Sequence, residues 1–117
     1  MVAKSSKTIK GDVALSHGEE LFAKLASFYA TPQTEYPVER AKLFGFDCFR
    51  INGKVFAKLH NGQLVMKLPS NRIAALVDSS QVKAYEHRGR VLKEWGVIEA
   101  SKDIIALAEE ARVFTGN

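Results

Sequence analysis

The length and composition of the chain restrict it to one ordinary globular domain. It has 117 residues, of which 46% are hydrophobic and 26% charged, with a formal net charge of +4. A chain of this size can bury a hydrophobic core without disulfide or metal crosslinks, but it is too short for two cores. Its one cysteine, Cys48, excludes an internal disulfide and favours the cytoplasm, and no apolar run is long enough to span a membrane.

The first elements are an arm, a helix and a strand. We predict that residues 1–15 form a flexible arm and that residues 16–117 form the single domain. Ser16 and Glu19 match a capping box that starts a helix reaching Thr31. Pro32 ends this helix, and a loop over 32–37 leads to a strand over 38–44.

Two Asn-Gly dipeptides organise the next stretch, RAKLFGFDCFRINGKVFAKLHNGQLVMKL (residues 40–68). Asn-Gly is the strongest short-range signal for a two-residue hairpin, because a type I′ turn needs positive φ at both central residues. Turns at Asn52-Gly53 and Asn61-Gly62 therefore predict an antiparallel meander.

These turns predict which side chains share a face, since side chains alternate along a strand. The pairing predicts Arg50 opposite Val55 and Phe49 opposite Phe56. One mostly apolar face should meet the helices; it holds Phe46, Cys48, Arg50, Val55, Ala57, Leu59, Leu64, Met66 and Leu68. The other face holds Asp47, Phe49, Ile51, Lys54, Phe56, Lys58, His60, Gln63, Val65 and Lys67.

The second face leaves several interpretations open. It could be an ordinary solvated face with Phe49 and Phe56 as a stabilising cross-strand pair. Basic residues interleaved with aromatic ones also suit single-stranded nucleic acid, and an apolar cluster with a polar rim suits a homodimer. Charge is uneven: residues 11–39 carry one lysine and five acids, whereas residues 40–68 carry six Lys or Arg and one acid.

The second half of the chain predicts two more helices and two more strands. Ser70 should cap a short helix with Ile73, Leu76 and Val77 inside. Strands follow over 82–85 and 91–98, and Trp95 is expected at the sheet edge. The turn between these strands, 86–90, carries the cations Arg88 and Arg90 beside Gly89.

The last helix completes an α+β domain. We expect Ser101 to cap it and Asp103 to occupy its first turn. The predicted order is helix, three or four strands, helix, two strands, helix, with the helices packed on one face of an antiparallel sheet.

The sequence contains no recognisable catalytic, cofactor or metal motif. His17, His60 and His87 are scattered, with no other ligand at metal-binding spacing. Phosphate-binding and dinucleotide fingerprints are absent, and Cys48 has no hydrolase signature. We therefore expect no enzyme activity, cofactor or metal.

Several short motifs resemble the N-terminal domain of TfoX/Sxy-type proteins: KLFG at 42–45, NGKVFA at 52–57, LVMKLP at 64–69 and GRVLKEW at 89–95. The resemblance covers roughly residues 16–115. It implies an α-β(3)-α-β(2)-α fold similar to that of type III secretion chaperones and a role in regulation. The related YjbR-type proteins imply DNA binding.

Three hypotheses of function follow, the last of which is an enzyme or small-ligand binder that would need a sizeable pocket with convergent polar groups. The first is a non-enzymatic regulatory domain that self-associates and acts through an unknown protein partner. The alternative is a transcription-related module that binds nucleic acid through the basic-aromatic face. The candidate partner surface consists of Phe49, Lys54, Phe56, Lys58, Lys67, Arg88 and Arg90.

Overall fold

The computed structural model describes residues 15–30 and 37–117, which form three helices and six strands. In chain order these are α1 (His17–Ala30), β1 (Val38–Leu43), β2 (Phe46–Ile51), β3 (Lys54–His60), β4 (Gln63–Lys67), α2 (Ser70–Asp78), β5 (Val82–His87), β6 (Arg90–Ile98) and α3 (Ile104–Gly116). The predicted arm (1–15) and loop (32–37) lie almost entirely outside the described residues.

The six described strands form one antiparallel sheet in the order β1-β2-β3-β4-β6-β5. The three helices lie on one face of this sheet, where their apolar side chains join a single core. We call the opposite face the outer face. The predicted α+β class is confirmed, with four strands before α2 and two after it.

Both Asn-Gly turns lie where the sequence predicts them. Asn52 and Asn61 each have a φ of 52°, and the glycines that follow have φ values of 76° and 75°. Asparagine and glycine tolerate this left-handed region better than other residues. The pairings next to the turns, Ile51 with Lys54 and His60 with Gln63, match the predicted register.

A β-bulge between β2 and β3 makes part of the predicted face assignment wrong. Arg50 pairs with Val55 as predicted, but Phe49 pairs with Ala57 and not with Phe56. Phe56 is thus an extra residue in β3, and both Phe56 and Ala57 enter the core under the helices. Three residues predicted for the open face lie in that core: Phe49, Ile51 and Phe56. Four residues predicted to meet the helices lie on the outer face: Phe46, Cys48, Arg50 and Val55.

The burial of two aromatic rings explains why the bulged register is favoured. Phe49 is 1% exposed and stacks on Phe22 of α1 with ring centroids 4.7 Å apart. Phe56 is fully buried against Tyr29, at 5.8 Å between centroids. Each buried ring contributes on the order of 2–3 kcal/mol. The predicted register would have placed the Arg50 guanidinium in the core, which is costly for a charge without a partner.

The start of α1 confirms the predicted capping box. The Ser16 backbone N–H donates to Glu19 Oε1 at 2.8 Å, and the Glu19 backbone N–H donates to Ser16 Oγ at 3.1 Å. The Ser16 hydroxyl also donates to the Gly62 carbonyl at 2.6 Å. This last contact holds the start of α1 against the β3–β4 turn.

Three predicted details of the later helices are wrong. Asp103, not Ser101, caps α3, and its side chain accepts a hydrogen bond from the Ala106 backbone at 3.0 Å. A carboxylate there also interacts favourably with the helix dipole. Ser70 is the first helical residue of α2, and among the described residues no side chain caps the N-terminus of that helix. Val77, predicted inside, is 39% exposed.

Candidate interaction surface

The outer face carries a lysine surrounded by three aromatic rings. The Lys58 ammonium lies 4.8 Å from the centroid of Tyr85, 4.9 Å from that of Trp95 and 5.5 Å from that of Phe46. Each distance is within the range of a cation–π interaction. We call these four residues the Lys58 cluster.

The strand order assembles this cluster from four separate strands. Lys58 of β3 pairs with Cys48 of β2 on one side and with Val65 of β4 on the other. Trp95 of β6 pairs with Lys67 of β4. Because β6 lies between β4 and β5, Trp95 occupies the interior of the sheet, and its predicted place at the sheet edge is wrong.

A small second core lies beneath the cluster. Val65 is fully buried, and Tyr85 and Val97 are 5% and 6% exposed, although the three described helices all lie on the other face. Leu92 and Trp95 pack against these three residues. Aliphatic stems of lysine can cover apolar surface while the charged ends stay near water. The outer face therefore has a buried apolar layer and, above it, an upper layer of lysine ammonium groups.

The cations of this upper layer have no carboxylate partner among the described residues. The Lys67 ammonium lies 5.9 Å from the Trp95 centroid, so two lysines share one indole. The described ion pairs join Arg50 to Glu39, Arg72 to Glu110 and Arg112 to Glu109. Neither Lys58 nor Lys67 takes part in them, which leaves a local excess of positive charge.

Aromatic contacts continue from the cluster towards the β1–β2 turn. The Tyr85 hydroxyl lies 3.4 Å from Nδ1 of His60, and the His60 ring meets the Phe46 ring edge-on at 6.0 Å between centroids. Phe44, in the turn, lies 6.5 Å from Phe46. The outer face is therefore crossed by a band of rings from Phe44 to Trp95.

Cys48 offers no reactive thiol to this surface. It is fully buried, and burial raises the pKa of its thiol, which the nearby Arg50 guanidinium offsets only in part. A thiol with a raised pKa is a poor nucleophile at neutral pH. As the sequence predicts, Cys48 is buried, but on the outer side of the sheet.

The structure separates the seven residues predicted as a partner surface. Lys58 and Lys67 meet at the Trp95 ring. Phe49 and Phe56 are core residues, so their predicted place on an exposed surface is wrong. The other three are exposed beside hairpin turns, Arg88 and Arg90 at the β5–β6 turn and Lys54 at the β2–β3 turn. Lys54 pairs with the core residue Ile51 and so lies on the helix side, which makes its predicted place on the same face as Lys58 wrong.

Sequence reasoning missed the aromatic members of the cluster. The turn register predicts Phe46 on the helix side, and Tyr85 and Trp95 come from strands whose neighbours are set by the crossover through α2. One signal was available: Arg50 was a lone charge on a face otherwise predicted to be core. Such a conflict indicates a register error on that strand.

Within residues 15–30 and 37–117, no three His, Cys, Asp or Glu side chains lie together as a metal site would require, and no helix is both long and apolar enough to cross a membrane. Compared with known proteins, the chain matches no family model, no curated protein and no solved structure. The outer face must therefore be interpreted from its own chemistry.

Proposed function

We propose that this chain is a non-enzymatic interaction domain whose outer face binds an acidic segment of a protein partner. The observation that carries the proposal is the pair of lysines, Lys58 and Lys67, over one indole on a face that none of the described helices covers. Because the same surface presents both apolar area and positive charge, we expect its partner to present both apolar and acidic side chains.

Charge complementarity favours an acidic partner. By their pairing, Arg50 and Lys83 lie on the same face as Lys58 and Lys67, and Glu39 is the carboxylate that pairs there with Arg50. Cations that aromatic rings already hold in place favour the binding of a carboxylate, because the lysine side chains have little conformational freedom left to lose on binding.

The aromatic residues favour a protein ligand with apolar side chains beside its acids. Trp95 and Phe46 are half-buried, so each presents part of a ring next to a lysine. Tryptophan and tyrosine dominate the energetic centres of protein interfaces. The resemblance of the sequence to TfoX-type N-terminal domains supports a regulatory purpose for such an interaction.

A peptide-display selection tests this proposal. The folded chain is used to select from a random library of peptides of about ten residues, a length suited to docking on a sheet face. We expect the enriched peptides to be acidic and to contain at least one large apolar residue. Their binding should fall at least tenfold in Lys58→Glu and in Trp95→Ala.

Lys102→Glu is the matched control, because Lys102 is exposed and lies just before α3, away from the outer face. It makes the same charge change as Lys58→Glu and should leave peptide binding unchanged. Enriched peptides without acidic residues would contradict the proposal. So would an equal loss of peptide binding in Lys58→Glu and Lys102→Glu.

Single-stranded nucleic acid is a second candidate, favoured by the alternation of rings and lysines across the outer face. Bases stack on aromatic side chains while cations contact phosphates. Fluorescence anisotropy with labelled oligothymidylate of about twelve nucleotides at about 50 mM salt tests it. Lys58→Ala and Lys67→Ala should each remove one phosphate contact. For each contact removed, the plot of log affinity against log salt concentration should become less steep by about 0.7. An affinity that these variants leave unchanged would eliminate this candidate.

A further inference from the structure

Phe44 occupies a backbone position that suits its side chain poorly. The first central residues of the β1–β2, β2–β3, β3–β4 and β5–β6 turns all have positive φ: Phe44 at 50°, Asn52 and Asn61 at 52° and Arg88 at 54°. Each is followed by glycine. Asparagine is well suited to this conformation, whereas a bulky aromatic residue there is a genuine outlier.

Contacts with the described residues offset little of the conformational strain at Phe44. It is 97% exposed, the most exposed large apolar residue among those described. Its ring meets only the Phe46 ring, at 6.5 Å between centroids, among the ring contacts of the described residues. Strain at an exposed aromatic residue is a sign that its surface is used outside the chain.

A recess lies directly beside this ring. It has a volume of about 520 Å³ and lies between the β1–β2 and β3–β4 turns. Its lining residues are Phe44, Gly45, Phe46, Asp47, Leu59, His60, Asn61 and Gly62. The recess is larger than a phenyl ring, and it offers both apolar walls and polar backbone.

The projecting ring and the recess therefore belong to one patch. A two-fold interface brings the same patch of each subunit together, so it requires a surface that is complementary to itself. An exposed aromatic residue beside an open recess that is wide enough to admit a ring meets this requirement. The recess also carries an acid, Asp47, and a base, His60, so two copies can oppose unlike groups.

We propose that Phe44 mediates a two-fold dimer in which the ring of each copy enters the recess of the other. The partner at this corner is a second copy of the chain. The contact is centred on one ring per copy, well below the area of a permanent dimer, so association should be weak, with a dissociation constant on the order of 100 µM. The dimer does not depend on the proposed binding of acidic peptides.

Sedimentation velocity over about 10 µM to 1 mM protein tests the proposal. The wild-type chain should shift from monomer to dimer across this range, and Phe44→Asn should remain monomeric throughout. Phe44→Asn introduces at this turn the Asn-Gly pair found in two other turns. The melting temperature of the variant should therefore be the same as that of wild type or a few degrees higher. Loss of the dimer together with unchanged or higher stability cannot come from misfolding.

Val113→Asn is the matched control, since Val113 is 49% exposed on α3, on the other side of the sheet. It should dimerise as wild type does. A sample mixed from isotope-labelled and unlabelled chains should also show contacts between Phe44 ring protons and Leu59 methyl groups of different molecules. A wild-type chain that stays monomeric at 1 mM, or a Phe44→Asn chain that dimerises normally, would overturn the proposal. Peptide binding by a monomeric wild type would leave the proposed function intact.

Discussion

The Lys58 ammonium lies 4.9 Å from the centroid of the Trp95 ring, although β3 and β6 are not neighbours in the sheet. Val65 of the intervening strand is fully buried beneath them and pairs with Lys58 on one side and Val97 on the other. The lysine thus reaches across one strand and covers a small apolar layer on the side of the sheet away from the described helices.

This arrangement predicts that Lys58 stabilises the fold. Lys58→Ala should lower the free energy of unfolding by about 1 kcal/mol, because it removes the cation–π contacts and the aliphatic stem over Val65. Lys83→Ala, at an exposed position of β5, should change it by less than about 0.5 kcal/mol. Urea unfolding followed by circular dichroism measures both. Equal effects would show that the ring contacts contribute nothing.

The β-bulge predicts that Phe49 and Phe56 act in the core. Phe49→Ser and Phe56→Ser should each destabilise the fold by about 3–5 kcal/mol, since each removes a buried ring and leaves a cavity. Phe44→Ser, at an exposed ring, should cause no comparable loss. Thermal unfolding distinguishes the two cases. If the Phe49 or Phe56 variant were as stable as wild type, the result would instead favour the register without a bulge that the turns alone predict.

Glu109 links α1 to α3 and predicts a dependence of stability on pH. It accepts a 2.8 Å hydrogen bond from the Tyr29 hydroxyl and two hydrogen bonds from Arg112, at 2.9 and 3.0 Å. Burial alone would raise the pKa of Glu109, but the hydrogen bonds from Arg112 and Tyr29 outweigh it and lower the pKa below its ordinary value. A carboxylate with a lowered pKa stabilises the fold above its unfolded pKa and ceases to do so as pH falls through the folded value.

Glu109→Gln should therefore cost about 1 kcal/mol near neutral pH and much less near about pH 3. The stability of wild type should fall more steeply than that of the variant as pH decreases below the ordinary glutamate pKa. Urea midpoints at both pH values measure this. Glu110→Gln, which breaks the more exposed ion pair with Arg72, is the control. A constant difference between wild type and Glu109→Gln at both pH values would contradict the role assigned to the carboxylate.

Gly18 allows α1 to approach the β3–β4 turn. A Cβ at this position would lie 2.7 Å from the Gln63 Cα and 2.7 Å from the Leu64 backbone nitrogen, and would also meet the Gly62 carbonyl oxygen. Gly18→Ala should destabilise the fold by about 2 kcal/mol, because backbone atoms must move apart. Ser27→Ala, at an exposed position of the same helix, should have little effect. Thermal unfolding that leaves Gly18→Ala as stable as wild type would contradict this close approach.

Local chemistry determined the elements that the sequence predicted well. Asn-Gly selects the type I′ turn within two residues, and Ser16 with Glu19 satisfies the first backbone donors of α1 within one turn. Such signals do not depend on distant contacts, so the α+β class and the order of elements follow from them. The sequence does not distinguish the cap of α3, because Ser101 and Asp103 are both suitable capping residues and lie two positions apart.

Long-range packing sets which side chains occupy each face of the meander. A bulge adds one residue without leaving a turn signal, and its energetic reason lies outside the strand, in the rings of Phe22 and Tyr29 that receive Phe49 and Phe56. The Lys58 cluster likewise needs β6 inserted between β4 and β5, a pairing between segments far apart in the chain. Local sequence signals therefore specify the turns, the helices and the basic character of the meander. The packing of the helices against the sheet determined which of its basic and aromatic residues face outwards, because burial of large apolar rings outweighs the regular alternation of a strand.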